Sequence, residues 1–212
     1  MEADFIINLV VILGVILVSM TLHEAMHAFV AYWLGDDTAR QEGRLTLNPI
    51  KHIDPFLTIL LPLGLAIVGA PIFVGAKPVP FRPDQVKGGE WGAALVALGG
   101  PLTNLLIAFI SYGIWVVAGG PVGGFGGLLL TTMVTVNLGF FVFNILPIPP
   151  LDGSRVIYAL APDFVRTGMR FIEQYGIIIV FALVLVASPL LGAYMSGMIN
   201  FFIGVFSEVF RF

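Results

Sequence analysis

The sequence predicts an all-α, multi-span membrane protein: about five transmembrane helices, one re-entrant segment and a small β element, with six full spans as the alternative. Three observations carry this prediction. Of the 212 residues, 58% are hydrophobic and only 11% charged, with a mean hydropathy of +1.00, whereas soluble domains are about one-quarter charged. Apolar runs recur at about 5–34, 56–74, 91–118, 127–147, 171–188 and 193–210. All but the first approximate the roughly 20 residues that cross a ~30 Å hydrocarbon core. Finally, proline, glycine and the basic residues are distributed so that the second run differs from the others.

The first run would form a helix of ~45 Å at 1.5 Å per residue, long enough to protrude from the bilayer before Gly35, Asp36 and Asp37 end it. Its head, MEADF, lacks the basic n-region of a secretory signal and no small-residue cleavage site follows, so this helix is expected to be retained. The second run, FLTILLPLGLAIVGAPIFVG, is interrupted by Pro62, Gly64, Gly69 and Pro71, which makes it the weakest helix of the six. On either side of it, 43–48 (within EGRLTLNP) and 73–81 (FVGAKPVPF) read as short strands at the membrane face. If 56–74 enters and returns on one side, all ten Lys and Arg residues, from Arg40 to Arg211, share one face; if it spans, they split three against seven. The positive-inside rule favours the re-entrant form, with the N-terminus outside.

No polar stretch is long enough for a soluble module, so residues 1–212 read as one membrane domain. The net charge of −3, with no basic stripe, argues against nucleic acid. The absence of cysteine excludes disulfides and thiolate ligands, so a metal here must be held by nitrogen and oxygen. No feature assigns an oligomeric state.

Such a site is written in HEAMH, residues 23–27. Positions i and i+4 share a helix face, so His23 and His27 can aim ring nitrogens at one ion while Glu24 flanks it without ligating. Two imidazoles and a third ligand leave a position for water, whose proton the glutamate can take. Ionisable groups in a spanning segment cost on the order of 2.5–3.5 kcal/mol each, and a bound cation offsets that cost. Candidates for the third ligand are His52, Asp54 and Asp152. Asp152 is preferred, because in NILPIPPLDG the prolines break the helix and expose backbone that must line protein or a wet cavity. His52, in a polar loop, reads as a hydrogen-bonding or supporting residue.

HEAMH on an early span, GGPLTN at 99–104 and NILPIPPLDG at 144–153 together resemble the site-2 protease family of intramembrane zinc metalloproteases. GRLTLNPIKHIDP and GAKPVPF are similar to its compact bacterial and archaeal members. The resemblance covers about residues 20–155 and implies one Zn2+ held by His23, His27 and Asp152. It also implies Glu24 as general base and Asn144 as a hydrogen-bond donor to the substrate carbonyl or its oxyanion. Asn104 reads mainly as a helix-packing residue in its glycine-rich context. The implied activity is cleavage of a transmembrane protein substrate, which 43–48 and 73–81 would receive as an added β-strand. The implied place is a prokaryotic inner membrane, with the site near the cytoplasmic face and the lipid bilayer around it. No PDZ or CBS domain fits in the chain. The alternative class is a metal- or proton-coupled transporter using the same residues as an ion site.

Overall fold

The computed structural model describes residues 2–67, 69, 74–120 and 123–211. α1 (Glu2–Trp33) runs 32 residues and ends as its glycine predicts: Gly35 takes φ +107°, and Asp36 N–H closes onto Ala31 O at 2.9 Å. The short α2 (Thr38–Gln41) follows that turn. α1 packs on α4 (Gly89–Val117), which packs on α5 (Gly124–Asn144). Where α1 and α4 meet, small residues lie buried, among them Ala25, Ala28, Ala93 and Ala97, while Phe5, Val10, Leu106 and Ile114 point outward. That inversion of the soluble pattern suits lipid: Leu and Ile gain nothing by leaving hydrocarbon, whereas small residues let helices approach closely. Among the described residues, four helices are long and apolar enough to cross a membrane: 4–33, α4, α5 and α9 (Ser188–Val209).

The second run forms a hairpin. Asp54 caps it, accepting from Phe56 N–H at 2.9 Å and Leu57 N–H at 2.8 Å. A π-helical turn, Pro55–Leu60, then leads into α3 (Leu61–Ile67). This helical rise spans ~20 Å, short of a ~30 Å core. The returning strand of chain bonds back to its start: Gly75 N–H to Leu57 O at 3.1 Å, and Lys77 N–H to His52 O at 2.9 Å. Thr58 Oγ1 donates to Gly75 O at 2.6 Å. The interruptions at Pro62, Gly64 and Gly69 fall within or just after the short helix, while Pro71 and Phe73 lie outside the described residues.

The expected β element does not form among the described residues. Residues 43–48 are turn and bend, followed by a 3₁₀ turn (Pro49–Lys51) that Asn48 caps by accepting from Ile50 N–H. The alternation in EGRLTLNP is thus used by side-chain caps instead of a ladder. Residues 74–81 take no regular secondary structure: the backbone partners of Gly75 and Lys77 are a helical turn and a loop, and Pro78 and Pro80 lack donors.

After α5, the chain turns through a short loop into α6 (Gly153–Leu160), which begins directly after Asp152. The run expected at 171–188 is divided between the polar α7 (Asp163–Gln174) and the apolar α8 (Gly176–Leu185), bent by 78°. Length and composition would allow the bent pair as a fifth span, but α8 starts against Pro150 and α9 sets out from the site end, so the pair adds no crossing. α9 runs parallel to α4. Its Met195 faces the site cavity, Phe202 packs on Phe141, Phe206 on Phe109, and Phe210 on Tyr112 near the C-terminal end of α4. Arg211 therefore lies at the end of the bundle far from HEAMH, which corrects the sequence reading that grouped it with the other basic residues.

Candidate metal centre

His23 and His27 lie one turn apart on α1 with Nε2 atoms 3.0 Å from each other. The loop after α5 delivers Asp152, whose Oδ2 is 3.2 Å from His23 Nε2 and 3.5 Å from His27 Nε2. A tetrahedral zinc with ligands at about 2.0–2.1 Å has neighbouring donor atoms about 3.3–3.4 Å apart, so this triangle has the right edge length. The protonation pattern fits as well. His27 Nδ1 meets Val96 O at 2.8 Å, and His23 Nδ1 meets Asn104 Oδ1 at 2.6 Å. Both partners are acceptors, so each Nδ1 carries the proton and each Nε2 turns a lone pair inward. Asp152 Oδ2 is buried there without a hydrogen-bond donor. Three electron-rich atoms converging on one buried point repel unless a cation sits among them.

Gly100 closes the cluster from behind. A Cβ at this position would lie 2.5 Å from His27 Nε2 and 2.6 Å from His23 Nε2, so only glycine leaves the space that the rings occupy. The group His23, His27 and Asp152 can hold one metal ion, and the preferred third ligand of the sequence reading is the one the fold delivers. The other two candidates lie elsewhere. His52 is fully buried in the loop before the hairpin, its Nε2 2.8 Å from Thr46 O, and Asp54 caps the hairpin.

A cavity of about 530 Å³ opens beside the cluster, and both Glu24 and Asn144 line it. Glu24 Oε2 accepts from Val79 N–H at 3.1 Å, which ties the glutamate to the chain returning from the hairpin. Asn144 Nδ2 donates to Phe140 O at 2.9 Å, one turn back on α5. The remaining walls are apolar, including Ile16, Leu61, Phe140, Val180 and Phe181.

Asn104 is more than the packing residue read from GGPLTN: it is fully buried and orients His23. Asn137, which sequence reasoning passed over, is equally buried and holds Asn104 through Asn104 Nδ2 to Asn137 Oδ1 at 2.9 Å. The signal was present, because Asn137 is a polar amide inside a spanning run, two turns before Asn144 on the same face of α5.

No protein-family model matches the chain, and no solved structure matches it. Curated relatives do. YwhC of Bacillus subtilis, a candidate zinc metalloprotease by name, is 43% identical over 188 residues, covering 84% of this chain and 80% of YwhC. Rip2 of Mycolicibacterium smegmatis, named in the same way, is 28% identical over 186 residues, covering 88% of this chain and 70% of Rip2. MJ0611 of Methanocaldococcus jannaschii, also so named, is 32% identical over 138 residues, covering 64% of this chain and 62% of MJ0611. With that identity to YwhC across most of both chains and a metal-holding triad in the core, this chain belongs to the zinc metalloprotease family of YwhC and Rip2, the site-2 protease family that its motifs resemble.

Proposed function

We propose that this zinc metalloprotease hydrolyses a peptide bond in or next to a transmembrane segment of another membrane protein. His23, His27 and Asp152 are the metal ligands, Glu24 and Asn144 the catalytic side chains, and residues 1–212 one membrane-embedded domain. The observation that carries this reading is what surrounds the cluster: the adjoining cavity is walled by α1, α5, α8 and α9, elements rich in outward-facing apolar side chains. A soluble peptide has no need of a site in such surroundings.

Bound zinc supplies Lewis acidity and brings the pKa of a water towards neutrality. The protein groups do the rest. Val79 N–H fixes one oxygen of the Glu24 carboxylate, and Oε1 takes a proton and passes it to the leaving amine. The Asn144 amide has two N–H bonds; one serves Phe140 O, and the other donates to the substrate carbonyl as negative charge builds on its oxygen. A helical substrate hides its carbonyls, so it must be drawn out before cleavage. Gly75 and Lys77 turn their N–H groups to the hairpin, which leaves the Ala76 N–H and the carbonyls of Ala76 and Pro78, residues that line the cavity, for another strand; Pro78 has no N–H to offer. An extended substrate adds there as a strand. The basic loops at the site end support an N-terminus outside and a site near the cytoplasmic face.

The test is comparative membrane proteomics of cells carrying the intact protein and the Glu24→Gln variant, alongside the zinc content of both purified proteins. Membrane proteins should accumulate uncut with the variant while it retains about one zinc, because glutamate handles protons and is not a ligand. Undiminished turnover by the variant refutes the mechanism, and an unchanged membrane proteome refutes the substrate class.

A further inference from the structure

We propose that Asn137 is a positioning residue for the metal: its amide, oriented by a backbone carbonyl, selects through Asn104 the tautomer of His23 that can bind zinc. The inference rests on His23 being a ligand.

The bonds form a directed chain. Asn137 Nδ2 donates to Met133 O at 2.8 Å and to Ser19 Oγ at 2.9 Å. Met133 O is a main-chain acceptor that cannot donate, so the amide cannot be reversed without setting Oδ1 against a carbonyl oxygen. Asn137 Oδ1 must therefore face the other way, where it accepts from Asn104 Nδ2 at 2.9 Å. That contact fixes Asn104 in turn. Its Oδ1 points at His23 Nδ1, 2.6 Å away, so the ring proton resides on Nδ1 and Nε2 is left bare for the metal. Reversing Asn104 would place an amide N–H against Nδ1, favour the proton on Nε2 and block ligation. Asn104 by itself has two faces of equal size, and nothing in its own shape chooses between them. Its Nδ2 also reaches Ser19 O, but at 3.5 Å that contact is long and weak, so the choice rests mainly on Asn137, one helix further from the metal. All three side chains are buried, with Asn104 and Asn137 fully so, so water does not supply an alternative partner and each orientation commits the next.

Asn137→Leu removes the selector while keeping the branched side-chain shape. Zinc affinity, measured on the full-length protein in detergent by competition with a chromophoric chelator, should fall about 10- to 100-fold, the usual effect of losing an outer-shell partner. Rescue supplies the discriminating result. In Asn104→Asp both carboxylate oxygens accept, so no selector is required, while one of them faces Asn137 Oδ1, an acceptor in the place of the amide donor; Asn104→Asp/Asn137→Leu removes that opposed pair and should bind zinc at least as tightly as Asn104→Asp. Ser19→Ala should have little effect, because Met133 O alone still orients Asn137. Wild-type affinity in Asn137→Leu overturns the proposal. So does equal loss in the two backgrounds, whether through weakened ligation or a collapsed fold. His23→Ala separates this from the larger reading: if that variant keeps zinc at wild-type affinity, the ligand assignment itself fails.

Discussion

Gly100→Ala tests the site by adding one methyl group. Built on the present backbone, its Cβ lies 2.5 Å from His27 Nε2, 2.6 Å from His23 Nε2 and 2.7 Å from His23 Cδ2. Non-bonded contacts of this kind settle near 3.5 Å, so each ring must retreat by about 1 Å or α4 must move away from α1. The rings are poorly placed to yield, because Val96 O and Asn104 Oδ1 hold their far nitrogens. Overpacking of this sort costs about 1–3 kcal/mol, and a 1 Å misplacement of reacting groups costs about 100-fold in rate. Neighbouring glycines grade the effect. A Cβ on Gly99 comes within 3.1 Å of Val30 Cγ2 and 3.3 Å of Met26 O, a shortfall of a few tenths of an ångström, and one on Gly126 meets nothing within 4 Å. Zinc content by elemental analysis, cleavage of a transmembrane reporter and melting temperature should rank Gly126→Ala nearest wild type, Gly99→Ala next and Gly100→Ala last, the last with metal and turnover both largely lost. A Gly100→Ala protein with one tightly bound zinc and full turnover would refute the geometry.

Asp152→Ala should lose both activity and most of its metal, whereas His52→Ala should keep zinc, since His52 sits in the loop and bonds Thr46 O; elemental analysis with the reverse result would reassign the third ligand. Burial opposes charge on Asp36, but bonds from Thr38 and from Arg82 N–H outweigh it and hold its carboxyl below the ordinary 3.8. Its contribution to fixing 82 against the end of α1 is thus complete above that value and lost as pH falls through the lower folded value; limited proteolysis at 36–44 should rise on acidification below about pH 4, and Asp36→Asn should flatten that rise. Because the chain has no native cysteine, single-cysteine labelling in intact cells reports sides cleanly. Cysteines at Gln41 and Gln85 should label alike, and those at Gly123 and Arg211 alike on the other face; Arg211 labelling with Gln41 would contradict the direction of α9.

What could be read from the chain depended on how local the deciding interaction was. HEAMH was legible because i and i+4 are neighbours on any helix. Asp152 was legible because prolines unwind the chain beside a carboxylate that apolar surroundings do not tolerate unpaired. Asn104 and Asn137 were not, since each acquires its role from a helix that the sequence does not place beside it: Asn104 meets His23 across 81 residues and Asn137 across 33. The strand at 43–48 looked right by alternation and that at 73–81 by its proline spacing, but Asn48, Arg44 and Thr58 satisfy the backbone of that region with side chains. The run at 171–188 passed as a span on composition. The bend comes where the polar, arginine-bearing α7 stops and the wholly apolar α8 starts, with Gly176 seated against Pro150, a contact no window average contains.

The weakest helix turns out to decide whether the site exists. α1 carries His23 to one end of the bundle, and α4 and α5 run antiparallel, so between Gly89 and Asn144 the chain leaves that end and comes back to it. Asp152 follows α5 directly and therefore returns to whichever end Gly89 started from. For His23 and Asp152 to meet, the segment between α1 and α4 must begin and finish at the same end, which a sixth straight span would prevent. Proline and glycine shorten the helical part to ~20 Å, and the bonds from Gly75 and Lys77 back to Leu57 and His52 close the turn. The same closure leaves Val79 beside Glu24. A segment too interrupted to cross the membrane thereby places the histidines and the aspartate at one level and brings Val79 to the glutamate, so that the metal-holding group and the cavity beside it both follow from one failed span.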